Sequence, residues 1–226
     1  MSIAKRLGAS LAPNLTKLAP GMSATFVHET LDRAINGAGP LPGAAAAGQK
    51  QLQEHHGDID RAIHDVIENH VRYAGAQGFL TNIGGLVTMA VTVPANVTGL
   101  AVVQCRMVAA IAHLRGYDLT DPRTRSAIYA FLLGEDQMLS LISRKKLPGP
   151  PMALATAPVH DPQLDTVLAN EVASELIAKV AGKRMASAVS RRVPLVGGLV
   201  GAGADGFSTW RIGRHVEREL LPRNRR

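Results

Sequence analysis

Cysteine, aromatic residues and strand patterning are the scarce features of this chain, and each scarcity excludes something. One cysteine, Cys105, rules out an internal disulfide and fits a reducing compartment. It follows a long apolar stretch, so it is expected to pack as a small hydrophobe. Aromatics make up 4% of the 226 residues, so the core has to be built from Ala, Val, Leu and Ile, with glycine where backbones approach closely. That composition suits packed helices. No run alternates apolar and polar residues between turn signals, which argues against a sheet. The N-terminus, MSIAKRLGASLAPNLTK, lacks the apolar core of a secretory signal, and a cytoplasmic protein is expected.

The motifs of familiar chemistry are absent as well. There is no G-x-S-x-G for a nucleophile, and VGGLVGAGAD lacks both the GK[ST] of a P-loop and a preceding strand. His28-Glu29 opens no H-E-x-x-H, since position 32 is Asp. His56, Asp60, His64 and Glu68 fall four apart and would form a stripe on one helix. A solvated face of i,i+4 pairs explains that spacing better than a metal site, and Gly57 sets His56 ahead of the helix. No catalytic residue, metal ligand or cofactor is therefore assigned, and the chain is expected not to be an enzyme. Basic charge without aromatics for base stacking is poor support for nucleic-acid binding.

Charge itself is missing from one long stretch. Between Arg72 and Arg106 the run from Tyr73 to Cys105 holds no Asp, Glu, Lys, Arg or His. A spanning helix needs about 20 mainly apolar residues, so length alone permits one. Asn82, Asn96, Gln104, five glycines and Pro94 dilute and interrupt it. Two apolar helical halves meeting near Thr92–Pro94 are expected, buried in protein or in a membrane interface. Acids and bases balance before the run, and the net charge of +7 lies entirely after it. The clusters Arg144-Lys145-Lys146 and Arg191-Arg192 are candidates for an anionic membrane face.

Residues 1–22 read as a basic amphipathic leader, with Ile3, Leu7, Leu11, Leu15 and Leu18 at helical spacing. Ser23 starts a helix that Gly37 ends. Pro42 to Ala47 looks like a flexible linker. Asp58 or Asp60 opens the next helix, with Ile59, Ile63, Val66 and Ile67 on its apolar side. Ala95 to Leu114, between Pro94 and Gly116, matches the proline-first, glycine-last asymmetry of helices. Thr120-Asp121-Pro122 caps another helix, which Gly134 interrupts. Leu147 to Val159 carries four prolines and reads as a mobile connection. Asp161-Pro162 and Pro194 start the last two helices, and residues 223–226 form a basic tail.

Gly197, Gly201 and Asp205 recur every fourth residue, with Gly198, Ala202 and Gly206 beside them. Such small-residue rows, a glycine zipper, let helices approach closely. Together with Gly84, Gly85 and Gly99 they suggest two facing surfaces. Asp205 is the one ionisable residue between Arg192 and Arg211, and Arg106 is the first after the uncharged run. Both are expected to be buried, where a lone charge needs a partner, and a pairing between them would tie the middle and C-terminal helices together.

The blocks GFLTNIGGLVTMAVTVPAN at 78–96, QCRMVAAIAHLRGYDLTDPRTRSAIYAFLLGED at 104–136 and VPLVGGLVGAGADGFSTWRIGRHVERE at 193–219 resemble the EcsC protein family, over about Ser23 to Leu221. The resemblance implies an all-helical, membrane-associated bacterial accessory protein, whose partner would be unknown and could be a transporter, since the name-giving member is encoded beside an ABC exporter. It supplies no catalytic residue. The expected architecture is therefore all-α, a single-domain bundle with glycine-rich apolar helices over residues 23–222. The expected function is non-catalytic, on the inner, anionic face of a membrane. A soluble helical domain that binds a protein or a small apolar ligand is the alternative, and an uncharacterised enzyme ranks below it.

Overall fold

The computed structural model describes residues 24–38, 41–83, 89–189 and 194–223. Within these spans, the side chains at 38, 41, 78–83, 89–98, 180–189 and 194–202 fall outside the description. The elements in chain order are α1 (Ala24–Asn36), β1 (Gly37–Ala38), β2 (Leu41–Pro42), α2 (Ala44–Glu54), α3 (Ile59–Ile83), α4 (Met89–Leu114), α5 (Pro122–Leu133), α6 (Glu135–Ser143), α7 (Pro151–Ala155), α8 (Pro162–Val189) and α9 (Pro194–Glu219). The two short strands pair antiparallel, Gly37 opposite Pro42. The rest is helical.

A helix stretch that is apolar all round must be buried all round, and the C-terminal half of α4 follows this. Cys105 and the residues from Met107 to Ala112 are almost wholly inaccessible on every side. The helix is surrounded by α1, α2, α3, α5, α8 and α9. By contrast α3 is two-faced. Ala62, Ile63, Val66 and Ile67 join the core, while Arg61, His64, Glu68 and Arg72 face water. The i,i+4 stripe is thus a solvated face: Glu68 pairs with His64 at 3.0 Å and with Arg72 at 2.7 Å.

Local cap chemistry sets several helix edges where the sequence puts them. Asp58 accepts a hydrogen bond from the Arg61 amide at the start of α3. Asp121 accepts from the Arg123 amide at 2.9 Å, ahead of Pro122 at the first position of α5. Gly116 and Gly134 take positive φ at helix ends, a conformation open to glycine without a steric penalty.

Three expectations are corrected. The segment from Pro42 to Ala47 is the second strand and the first turn of α2, because a run of alanines is a strong helix former. Gly43 admits it: a Cβ there would lie 2.4 Å from the Ile35 carbonyl. Gly48 then lets α2 settle on α4 beside Leu114. Next, the proline-rich stretch 147–159 is an ordered strap. Pro151 opens α7, where its missing N–H has no cost. Leu147, Leu154 and Ala155 are buried, and Arg123 Nη1 donates to the Ala157 carbonyl at 2.9 Å. Finally, α4 begins at Met89 and runs through Pro94, so the uncharged run does not divide at Thr92–Pro94. A proline five residues into a helix forfeits one backbone bond, to the residue four before it, and leaves the later turns intact.

Candidate functional site

The direction of the long helices brings the uncharged segments together. Gly206 of α9 sits against Val71 of α3, and Gly213 against Ile67. Numbers rise on one helix as they fall on the other, so α3 and α9 are antiparallel. Gln104 of α4 donates from Nε2 to Ser208 Oγ (3.0 Å) and Thr209 Oγ1 (3.2 Å), and further on Met107 Sδ lies against Gly213, so numbers rise together and α4 runs alongside α9 in the same direction. The C-terminal part of α3 and the N-terminal parts of α4 and α9 consequently point to the same end of the bundle. These are the glycine-rich, uncharged parts of all three helices.

Gly99 belongs to this close packing, since a Cβ on it would fall 1.8 Å from the Gln77 amide nitrogen. Gly84, Gly85, Arg191 and Arg192 lie outside the described residues. Gly197, Gly198, Gly201 and Ala202 belong to α9, but what surrounds them is likewise outside. In the described part of α9, the glycines against α3 are Gly206 and Gly213.

Where the uncharged segments give way to the charged body, polar groups are buried in a layer. His70, 3% exposed, bonds through Nδ1 to the Val66 carbonyl at 2.7 Å, and its Nε2 has no hydrogen-bond partner among the described residues. Burial lowers its pKa to about 4, with the nearby Arg106 acting in the same direction, so the ring is neutral at pH 7. Asp205, 3% exposed, follows on α9, and its carbonyl accepts from Thr209 Oγ1. Arg106 is half-buried, and burial lowers its pKa also.

The proposed tie between Arg106 and Asp205 is not formed. Among the described residues no ion pair joins them and the Arg106 Nε has no hydrogen-bond partner, while Tyr73 and His70 lie within its electrostatic reach. The cause is helical rotation. Gln104 faces α9, and a residue two positions later points roughly 200° away, so Arg106 turns to His70 and Tyr73 instead.

The surface at the same level is aromatic and basic. Tyr73 on α3 is 58% exposed, and on α9 Phe207 and Trp210 are 61% and 47% exposed. The Phe207 and Trp210 rings stack at 6.0 Å, 21° from parallel. Between the helices runs a groove of about 460 Å³, lined by Ile67, Val71 and Trp210 with Arg72 and Arg214 at its rim. Sequence reasoning passed over this pair, although Trp210 is the only tryptophan and lies one helical turn from Phe207.

The cluster Arg144-Lys145-Lys146 lies elsewhere. Lys146 pairs with Glu171 at 2.8 Å, about 27 Å along α8 from its end at Val189 by the rise of a helix. A cavity of about 390 Å³ beside Gly134 is lined by Glu135, Asp136, Glu175, Arg211 and His215 among others. Its charges are engaged locally, as in Arg211–Asp136 at 3.2 Å and Arg218–Glu135 at 3.4 Å. Among the described residues no group of three or more His, Cys, Asp and Glu is placed to hold a metal. Nor is any helix there long and apolar enough to cross a membrane.

Cys105 is fully buried, and burial pushes its thiol far above the usual range, so a thiolate nucleophile is not available there. No curated protein and no solved structure matches this chain. The model of the EcsC protein family does match, over residues 26–219, and the chain belongs to that family.

Proposed function

We propose that this protein is a non-catalytic accessory protein that works at the cytoplasmic face of a membrane, docking by the uncharged end of its bundle and acting through contacts with lipid and protein. The observation that carries the reading is the convergence of the uncharged ends of α3, α4 and α9 on one side, edged by exposed Tyr73, Phe207 and Trp210. From Tyr73 to the end of α3 at Ile83 is about 15 Å by the helical rise. That is about half of a ~30 Å hydrocarbon core, a depth suited to entering one leaflet without crossing.

Arginine frames this end. Arg72 precedes the uncharged part of α3, Arg106 follows that of α4, and on α9 Arg211 comes about one and a half turns after Asp205, the first ionisable residue past its uncharged part. A guanidinium at that level reaches headgroups while its stem stays apolar. The net charge of +7 adds attraction to anionic lipid, which salt screens.

Flotation of the full chain with phosphatidylglycerol-containing vesicles is the test. The expected result is co-flotation that weakens as salt rises and is poorer with phosphatidylcholine alone. A protein left in the bottom fraction under every lipid condition overturns the reading.

A further inference from the structure

Two aromatic side chains stacked in water on a chain with so few aromatics call for a partner. Phe207 and Trp210 are the most prominent case, and Trp210, on which Phe207 stacks, lines the α3–α9 groove. The groove is apolar within, through Ile67 and Val71, and charged at its mouth, through Arg72 and Arg214. A tryptophan with an apolar body and a polar N–H favours the boundary between acyl chains and headgroups. A planar guanidinium fork matches the oxygens of a phosphate.

We propose that this groove seats one anionic phospholipid at the membrane surface, its upper acyl chain against Val71 and Trp210 and its phosphate between Arg72 and Arg214. This rests on the membrane reading above and specifies which residues meet the lipid. The groove is continuous with the uncharged end, because Trp210 follows the uncharged part of α9 and Arg72 precedes that of α3. Its height along the bundle is therefore that of the headgroups when the end is immersed.

Charge at the mouth favours an anion. Arg72 shares Glu68 with His64, and Arg214 has Glu217 as its neighbour. Two arginines thus face one carboxylate in the lining. The Arg72–Glu68 pair is exposed, and an exposed ion pair is weak enough for a lipid phosphate to exchange with it; Arg214 and Glu217 are half-buried, with Arg214 the more open of the two. A docked protein helix would use the same apolar surface, but it has no need of the phosphate-matching forks.

Trp210 reports on its own site, since the chain has no other tryptophan. The experiment follows its emission in the full chain while phosphatidylglycerol/phosphatidylcholine vesicles are added. Parallel samples carry bromine near the carbonyl end or near the methyl end of the acyl chains. The expected result is a blue shift, loss of quenching by aqueous iodide, and strongest quenching by bromine near the carbonyl. Arg72→Gln with Arg214→Gln should weaken binding to anionic vesicles at least tenfold, and Arg72→Lys with Arg214→Lys should weaken it less. Circular dichroism checks that these surface variants remain folded.

Co-flotation with unchanged Trp210 emission and full iodide access would overturn the groove and leave the membrane reading standing. A Gln pair that binds as tightly as the natural chain would overturn the phosphate contact. Shielding of Trp210 that depends on protein concentration without vesicles would assign the groove to a protein partner instead. No flotation at all would remove the membrane reading itself.

Discussion

Adding one methyl group at each of two glycines of α9 should move stability in opposite directions. At Gly213 a Cβ would lie 2.9 Å from both Cγ1 and Cγ2 of Ile67 and 3.2 Å from Met107 Sδ. Ile67 and Met107 are buried, and the Ile67 atoms sit on a β-branched side chain with little rotamer freedom. The neighbour cannot swing aside, so overpacking costs about 1–3 kcal/mol. Helix propensity returns about 1 kcal/mol for replacing glycine, and Gly213→Ala should show a net loss of up to about 2 kcal/mol. At Gly206 the same Cβ would meet Val71 at 3.7 Å, ordinary contact distance. Gly206→Ala therefore keeps the propensity gain and should stabilise by about 0.5–1 kcal/mol. For a chain of this size each kcal/mol is about 2–4 °C in Tm. Thermal unfolding followed by circular dichroism should show Gly213→Ala lower and Gly206→Ala higher than the natural chain. Two shifts of the same sign would refute the α3–α9 register from which the shared uncharged end is argued.

His70 makes stability depend on acid. Its folded pKa of about 4 lies below the ordinary 6.5, so the unfolded chain binds the proton more readily. The full contribution is present above pH 6.5 and is lost as pH falls towards 4, by about 3 kcal/mol at about 1.4 kcal/mol per pKa unit. Denaturant melts at pH 7 and 4.5 should show a smaller acid loss in His70→Gln than in the natural chain; equal losses would contradict the buried neutral ring. Asp121→Ala removes the cap of α5 and the Arg123 contacts that tether the proline-rich strap. It should cost about 1–2 kcal/mol and raise proteolytic cleavage within 147–159, and a strap that stays resistant would show that burial of Leu154 and Ala155 suffices.

The sequence by itself determined what depends on chemistry within a few residues. Asp58, Asp121, Pro122 and Gly134 mark helix edges because cap bonds and left-handed turns involve near neighbours in the chain. An all-helical bundle followed from periodicity, and the uncharged run was visible as a count of charges. The stripe Asp60, His64 and Glu68 was legible as a solvated face by its spacing alone. Tertiary structure decided what links distant parts. That Val71 meets Gly206 and Ile67 meets Gly213 is set by packing of helices far apart in sequence, and it alone puts the uncharged segments at one end. Packing also ordered the proline-rich strap, through buried Leu154 and Ala155, against a composition that reads as mobile. It turned Arg106 away from Asp205, because the side of α4 a residue occupies fixes which neighbour it meets. Trp210 and Phe207 became a surface feature only once α3 covered the adjoining face of α9, which no local pattern in a single helix can specify.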